Sequence, residues 1–131
     1  MFVDASAIVA ILGGEDEGPS LAARLAQAGR VFVSPIVLYE AVAGLARRRV
    51  CPIADATALV DGFVEETEAQ VIEITAAIGR SALDAFERYG RGRHVADLNL
   101  GDCFAYACAR SVGEPLLCKG NDFVHTDIEI G

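Results

Sequence analysis

Residues 1–12 read MFVDASAIVAIL. Phe2 and Val3 are aromatic and β-branched, the composition of a short buried strand, and the strand ends on a carboxylate, Asp4. Apolar residues resume at once. Ala7 to Leu12 reads as a helix, with Ser6 placed to cap it and Gly13-Gly14 placed to stop it. A strand, an acid at its carboxyl end and a helix directly after it is the opening of an α/β unit. An ionised acid beside a buried strand is costly unless a partner or a cation meets it.

The rest of the chain repeats the pattern. Pro19 followed by LAARLAQA predicts a second helix that ends by Gly29. Val31–Val33 is a strand, and Ser34-Pro35 caps a helix running to about Arg48. Past Cys51-Pro52, residues Ile53–Thr67 form a helix with Leu59 and Phe63 on its apolar face. Val71–Ile74 is the third strand, and Thr75 caps a helix through Tyr89. GRGRH is a turn-rich loop, Leu100–Ser111 a helix closed by Gly113, Leu116–Cys118 the fourth strand and Ile128–Ile130 a last short one. This alternation predicts an α/β fold, a mainly parallel central sheet of four to five strands flanked by helices. The length, 131 residues, predicts a single domain over 1–131.

With 53% hydrophobic residues the chain has the material for a core. No apolar run reaches the roughly 18 residues of a membrane span, and the start lacks a basic signal-peptide segment. The expected location is the cytoplasm. Cys51, Cys103, Cys108 and Cys118 make neither a CxxC pair nor a zinc-ligand spacing, and they read as reduced core or near-surface residues. The net charge of −8 argues against nucleic-acid binding when taken alone. The bases are clustered, however, at Arg47–Arg49 and at Arg88, Arg91 and Arg93, and all but one of the 11 are arginine, the planar group suited to phosphate. Acids gathered around a metal also count as negative in a sequence tally while being neutralised when a cation is bound.

Most acids sit among polar neighbours: Glu65, Glu66, Glu68, Asp84 and Glu87 read as solvated helix surface. Four do not. Asp4 ends the first strand, where the plain alternative is a helix cap beside Ser6. Glu40 shares a helical face with Val37 and Gly44, so it rises from an apolar stripe; pairing with a buried arginine is its alternative. Asp102 opens an apolar helix on the face of Tyr106 and Ala109, where favourable interaction with the helix dipole would also explain it. Asp122 follows the fourth strand, in a GND stretch that could be a simple turn. Two of the acids end strands, and two stand on helices that pack on the same sheet. In a parallel sheet, ligands bind beyond the carboxyl ends of the strands. Four converging carboxylates repel one another unless cations sit between them, and an all-oxygen set suits Mg²⁺ or Mn²⁺ rather than zinc. The chemistry implied is metal-assisted hydrolysis of a phosphodiester.

The stretches MFVDASAIVAIL, SPIVLYEAV, GDCFAYACA and LLCKGNDF, in this order and spacing, resemble the PIN-domain ribonucleases, specifically the VapC-type toxins of toxin–antitoxin pairs. The resemblance covers nearly the whole chain. It implies a Mg²⁺- or Mn²⁺-dependent endoribonuclease whose metal site is Asp4, Glu40, Asp102 and Asp122, with Asp4 and Asp102 as the main ligands. It implies support from Ser6, outer roles for Asn121 and Asp127, an RNA substrate such as transfer or ribosomal RNA, a VapB-type antitoxin and a homodimer. The chain departs from the family where Val95 stands in place of proline and Asp97 in place of a basic residue, so position 97 is not expected to grip RNA. His94 and His125 are single histidines and are given no catalytic role.

Three other classes fit less well. An aspartyl-phosphate phosphatase needs an acid two residues after the first, where Ser6 stands. A receiver module needs a phosphorylated Asp after an internal strand, and Ile74-Thr75 supplies none. The remaining alternative is a non-catalytic RNA- or protein-binding module that keeps the fold.

Overall fold

Short strands alternate with longer helices in the computed structural model, which describes residues 1–131. In chain order these are β1 (Phe2–Val3), α1 (Ala5–Leu12), α2 (Gly18–Ala26), β2 (Phe32–Val33), α3 (Pro35–Arg49), α4 (Ile53–Glu66), β3 (Gln70–Val71), α5 (Ala76–Tyr89), α6 (Leu100–Val112) and β4 (Leu116–Leu117). The strands form one sheet in the order β3-β2-β1-β4, all parallel. Phe2 is in register with Phe32 on one side and Leu116 on the other. From β1 the chain winds outward through β2 to β3, then returns to place β4 on β1's other flank. The crevice between the carboxyl ends of β1 and β4 is therefore the switch point where such sheets bind ligands.

Burial explains the apolar strands. Phe2, Val3, Val33, Leu116 and Leu117 are wholly enclosed, within one hydrophobic cluster that takes in residues from every helix. Each such side chain contributes about 1.5–3 kcal/mol by leaving water. β3 is the exposed edge strand and lies at Gln70–Val71, starting a residue before the predicted Val71–Ile74 and ending three residues short of it. The predicted last strand reduces to one parallel bridge, Leu116 to Ile130.

Local chemistry sets most helix ends. Ser34 and Thr75 cap α3 and α5 through their hydroxyls, and Gly113 closes α6 in the left-handed conformation. α1 differs from expectation. Its cap is Asp4, whose carboxylate accepts from the Ser6 amide, so Ser6 is the third residue of the motif and not its start. In α4 the buried face is Ala56, Val60 and Phe63. Leu59, three residues after Ala56 and four before Phe63, lies at the flank of that face and is 37% exposed. α3 ends at Val50, an exposed β-branched residue at φ 50°, where glycine would sit without strain.

Candidate functional site

Asp4 follows β1 and is one of only two buried polar side chains in the molecule. Its backbone amide donates to Leu117 O (2.9 Å), which fixes it between β1 and β4. Ser6 donates twice to Asp4 Oδ2, from its amide (3.0 Å) and from its hydroxyl (2.5 Å). Asp4 Oδ1 takes neither bond. Ser6 Oγ in turn accepts from the amide of Lys119 (3.0 Å), so the first residue after Cys118 is tied through one hydroxyl to the first acid.

The other acids arrive from three directions. Glu40 projects from α3, and a side chain on Gly101 would run into both of its carboxylate oxygens; glycine there is what lets α6 approach. Asp102 lies in the first turn of α6 within a capping box: Asn99 accepts from the Asp102 amide (2.9 Å) and Asp102 accepts from the Asn99 amide (3.0 Å). The box holds the carboxylate at the helix start while leaving an oxygen to face the pocket. Asp122 comes from the loop after β4. Asp4, Glu40, Asp102 and Asp122 all line a single open pocket of about 560 Å³, along with Ser6, Glu15, Tyr39, Arg47, Asn99 and Lys119.

Their charges interact. Burial pushes the Asp4 carboxyl above its ordinary value, the Ser6 bonds oppose this and Asp122 adds to it. Glu40 is pushed up to about 7, by burial first and then by Asp4 and Asp102. Asp102 is pushed up to about 6 by burial, with the Asn99 amide opposing and Asp4 and Asp122 adding. Cys118, beside the acids, is pushed up to about 12 by burial and by Asp4 and Asp122, so its thiol keeps its proton and the anionic donors are all oxygen. None of the four acids takes part in an ion pair, whereas Glu15, Asp97, Glu114 and Asp127 all do. The arginine partner considered for Glu40 is absent.

This donor set fits a hard divalent cation: several oxygens, partly buried, with no countercharge of their own. No three of the acids stand close enough to chelate an ion as placed. The fit lies in the donor chemistry and the unpaired charge.

Other expected residues fall elsewhere. Asp127 does not line the pocket; it accepts from Tyr106 Oη (2.5 Å) and pairs with Arg88 (3.3 Å) and Arg110 (3.5 Å), clasping the C-terminal segment to α5 and α6. Asn121 is exposed and outside the pocket. The arginine clusters are largely occupied within the molecule. Arg48 donates to Gly13 O and Arg49 to Leu12 O at the end of α1, Arg91 pairs with Asp97 and Arg93 lies over the Phe86 ring. The pocket's own cations are Arg47 and Lys119. Sequence reading passed over Glu15, Lys119 and Asn99 as site residues; only Asn99 carried a usable signal, an Asn three residues ahead of an acid at a helix start.

A PIN-domain family model matches residues 1–129. The chain is 46% identical to a VapC ribonuclease of Rhizobium meliloti, over 97% of this chain and 98% of that one. It is 41% identical to ribonuclease VapC42 of Mycobacterium tuberculosis, over 98% and 96%. The fold is similar to that of Mycobacterium tuberculosis VapC20, described as a sarcin–ricin-loop-cleaving toxin, with a TM-score of 0.76 at 22% identity over 97% of this chain and 95% of that one. It is also similar to a chain of a toxin–antitoxin complex from Klebsiella pneumoniae, with a TM-score of 0.70 at 18% identity over 99% and 95%.

Proposed function

The chain belongs to the PIN-domain family, among relatives named VapC ribonucleases, and on that footing we propose that it is a divalent-cation-dependent endoribonuclease acting as the toxin of a toxin–antitoxin pair. One observation carries the metal-dependent part. Asp4, Glu40, Asp102 and Asp122 share a pocket at the β1/β4 switch point and none has a cationic partner. A second, binding-only reading has no observation in its favour.

Asp4, Asp102, Glu40 and Asp122 would hold Mg²⁺ or Mn²⁺, with Asp4 and Asp102 as the proposed main ligands. When bound there, such a cation supplies Lewis-acid stabilisation of a phosphoryl oxygen and activation of water for attack on phosphorus. The chain's own groups do the rest. Ser6 fixes the rotamer of Asp4 and keeps Oδ2 occupied, so that Oδ1 is the oxygen presented. The Asn99 backbone amide likewise donates to Asp102 Oδ2 and holds that carboxylate. In the metal-free pocket the Glu40 carboxyl is raised to about 7, so its proton would leave as a cation binds. Arg47 and Lys119 stand at the mouth, where a phosphate backbone would enter.

The substrate class is RNA, with structured molecules such as transfer or ribosomal RNA as the proposed targets, and the site of action is the cytoplasm. A small antitoxin of the VapB type and a second copy of the chain are the proposed protein partners. No helix is long and apolar enough to cross a membrane. The test is cleavage of total RNA by the purified chain with Mg²⁺, with EDTA, and with Asp4→Asn or Asp102→Asn. Cleavage is expected with Mg²⁺ alone; activity persisting through EDTA and both substitutions would refute the proposal.

A further inference from the structure

Glu15 and Lys119 meet across the mouth of the acid pocket, and neither belongs to the set of unpaired acids. Glu15 lies just past α1, its amide donating to Ala10 O (3.0 Å), and its side chain is only 13% exposed. Its Oε1 faces Arg48 Nη1 (3.3 Å), and Arg48 is itself pinned through Nε to Gly13 O (3.2 Å). Glu15 Oε2 is buried and accepts no hydrogen bond of regular geometry; the Lys119 ammonium is its partner. The other end of Lys119 is equally fixed, because its amide donates to Ser6 Oγ.

We propose that Lys119 binds a phosphate of the RNA at the mouth of the acid pocket and that Glu15 is the residue that positions it there. The proposal rests on the ribonuclease reading above and assigns part of its substrate contact. Two facts drive it. A phosphodiester approaching unpaired carboxylates is repelled, so the rim must carry positive charge. Lys119 and Arg47 are the cations that line the pocket, since Arg48 and Arg49 are turned to the end of α1 and Arg91 is paired with Asp97. The second fact is where the Lys119 ammonium lies. Asp4 and Asp122 are unpaired in the same pocket, and a free lysine would fold onto them. Glu15 draws the ammonium aside. Lys119, Arg48 and Glu15 together keep one net positive charge, and the Lys119 side chain stays 39% exposed to an incoming phosphate.

The experiment measures binding of a fluorescein-labelled single-stranded oligoribonucleotide in EDTA, where cleavage is blocked, across a range of NaCl. Thermal melting confirms that each variant is folded. Lys119→Met is expected to weaken binding several-fold and to flatten the log-affinity against log-salt slope by about 0.7, the value for one single-strand phosphate contact. Lys119→Arg is expected to restore the slope. Glu15→Gln separates positioning from bulk charge, because losing a negative charge alone tightens RNA binding, whereas releasing Lys119 weakens it. Glu15→Asp, which shortens the arm and keeps the charge, is expected to weaken binding too, and serves if the Gln variant does not fold. With Mn²⁺ present, Lys119→Met and Glu15→Gln raise KM several-fold and leave kcat near wild type. An unchanged salt slope in Lys119→Met, or tighter binding in Glu15→Gln, overturns the assignment while wild-type cleavage keeps the ribonuclease reading intact. Wild-type protein that neither binds nor cleaves RNA overturns both.

Discussion

Asp4 does two jobs with one carboxylate: it caps α1 and it supplies an oxygen to the pocket. Asn is as good a cap as Asp, so Asp4→Asn keeps the helix and removes only the anion. Metal-dependent cleavage is expected to fall about 100-fold or more, at least the loss seen on disturbing a ligand's surroundings. The melting temperature of the metal-free protein at pH 8 is expected to hold or rise, which calorimetry would check. A second prediction concerns pH. Glu40 and Asp102 titrate near 4.5 and 3.8 when unfolded, and at about 7 and 6 when folded. Between those values the folded chain binds more protons than the unfolded one, so stability falls as pH rises through that window. Asp127 and Glu114 are shifted down, and their contribution is lost only as pH drops below their unfolded values. Metal-free protein is therefore expected to melt higher at pH 5.5 than at pH 8, and Mn²⁺ to raise the melting temperature more at pH 8. A metal-free profile that rises toward pH 8 contradicts this. The four acids were legible in the sequence because each interrupts an apolar pattern. Glu15 and Lys119 were not, because a charged residue in a polar turn carries no mark of the partner that folding brings to it.

Two positions separate the needs of the helices from those of the site. At Gly101, in the first turn of α6, an added Cβ would meet the end of the Glu40 side chain. That end is flexible, so Gly101→Ala displaces a carboxylate without disturbing backbone. The variant is expected to melt within about 1 kcal/mol of wild type, given alanine's better helix propensity, yet to lose cleavage activity by an order of magnitude or so through the displaced Glu40. Comparing melts with initial rates checks both halves. At Val50 the helix end imposes a left-handed backbone on an exposed β-branched residue. Val50→Gly is expected to stabilise by about 1 kcal/mol, the strain relieved less the entropy glycine adds to the unfolded chain. Helix positions were readable from caps and stop residues, and α3, α5 and α6 fall where Ser34, Thr75 and Gly113 put them. The first helix was misread at its cap because Asp and Ser both cap well, and only geometry decides between them. Leu59 has the spacing of α4's buried face but lies at its edge, where nothing in the sequence tells how far the neighbouring elements cover it.

At the scale of the whole molecule, strand order makes the site. β1 lies between β2 and β4, so the chain reverses its winding beside Asp4 and brings the loop carrying Lys119 and Asp122 to the same crevice. The alternation of strands and helices gave the parallel sheet, but no residue pattern announces that β4 returns to the far side of β1. The arginine clusters taught the same lesson: their spacing suggested a nucleic-acid surface, while the fold turns most of them toward carbonyls, acids and rings of their own chain. The acids escape that fate, and their unpaired charge is the centre of the account. Mn²⁺ binding to the full chain, followed by titration calorimetry at pH 7 in two buffers of different protonation enthalpy, tests it most directly. The account predicts saturable binding with net release of protons, from carboxyls raised into that range, and loss of both in Asp4→Asn. Binding that is absent in the wild type, or that is undiminished in Asp4→Asn, would contradict it.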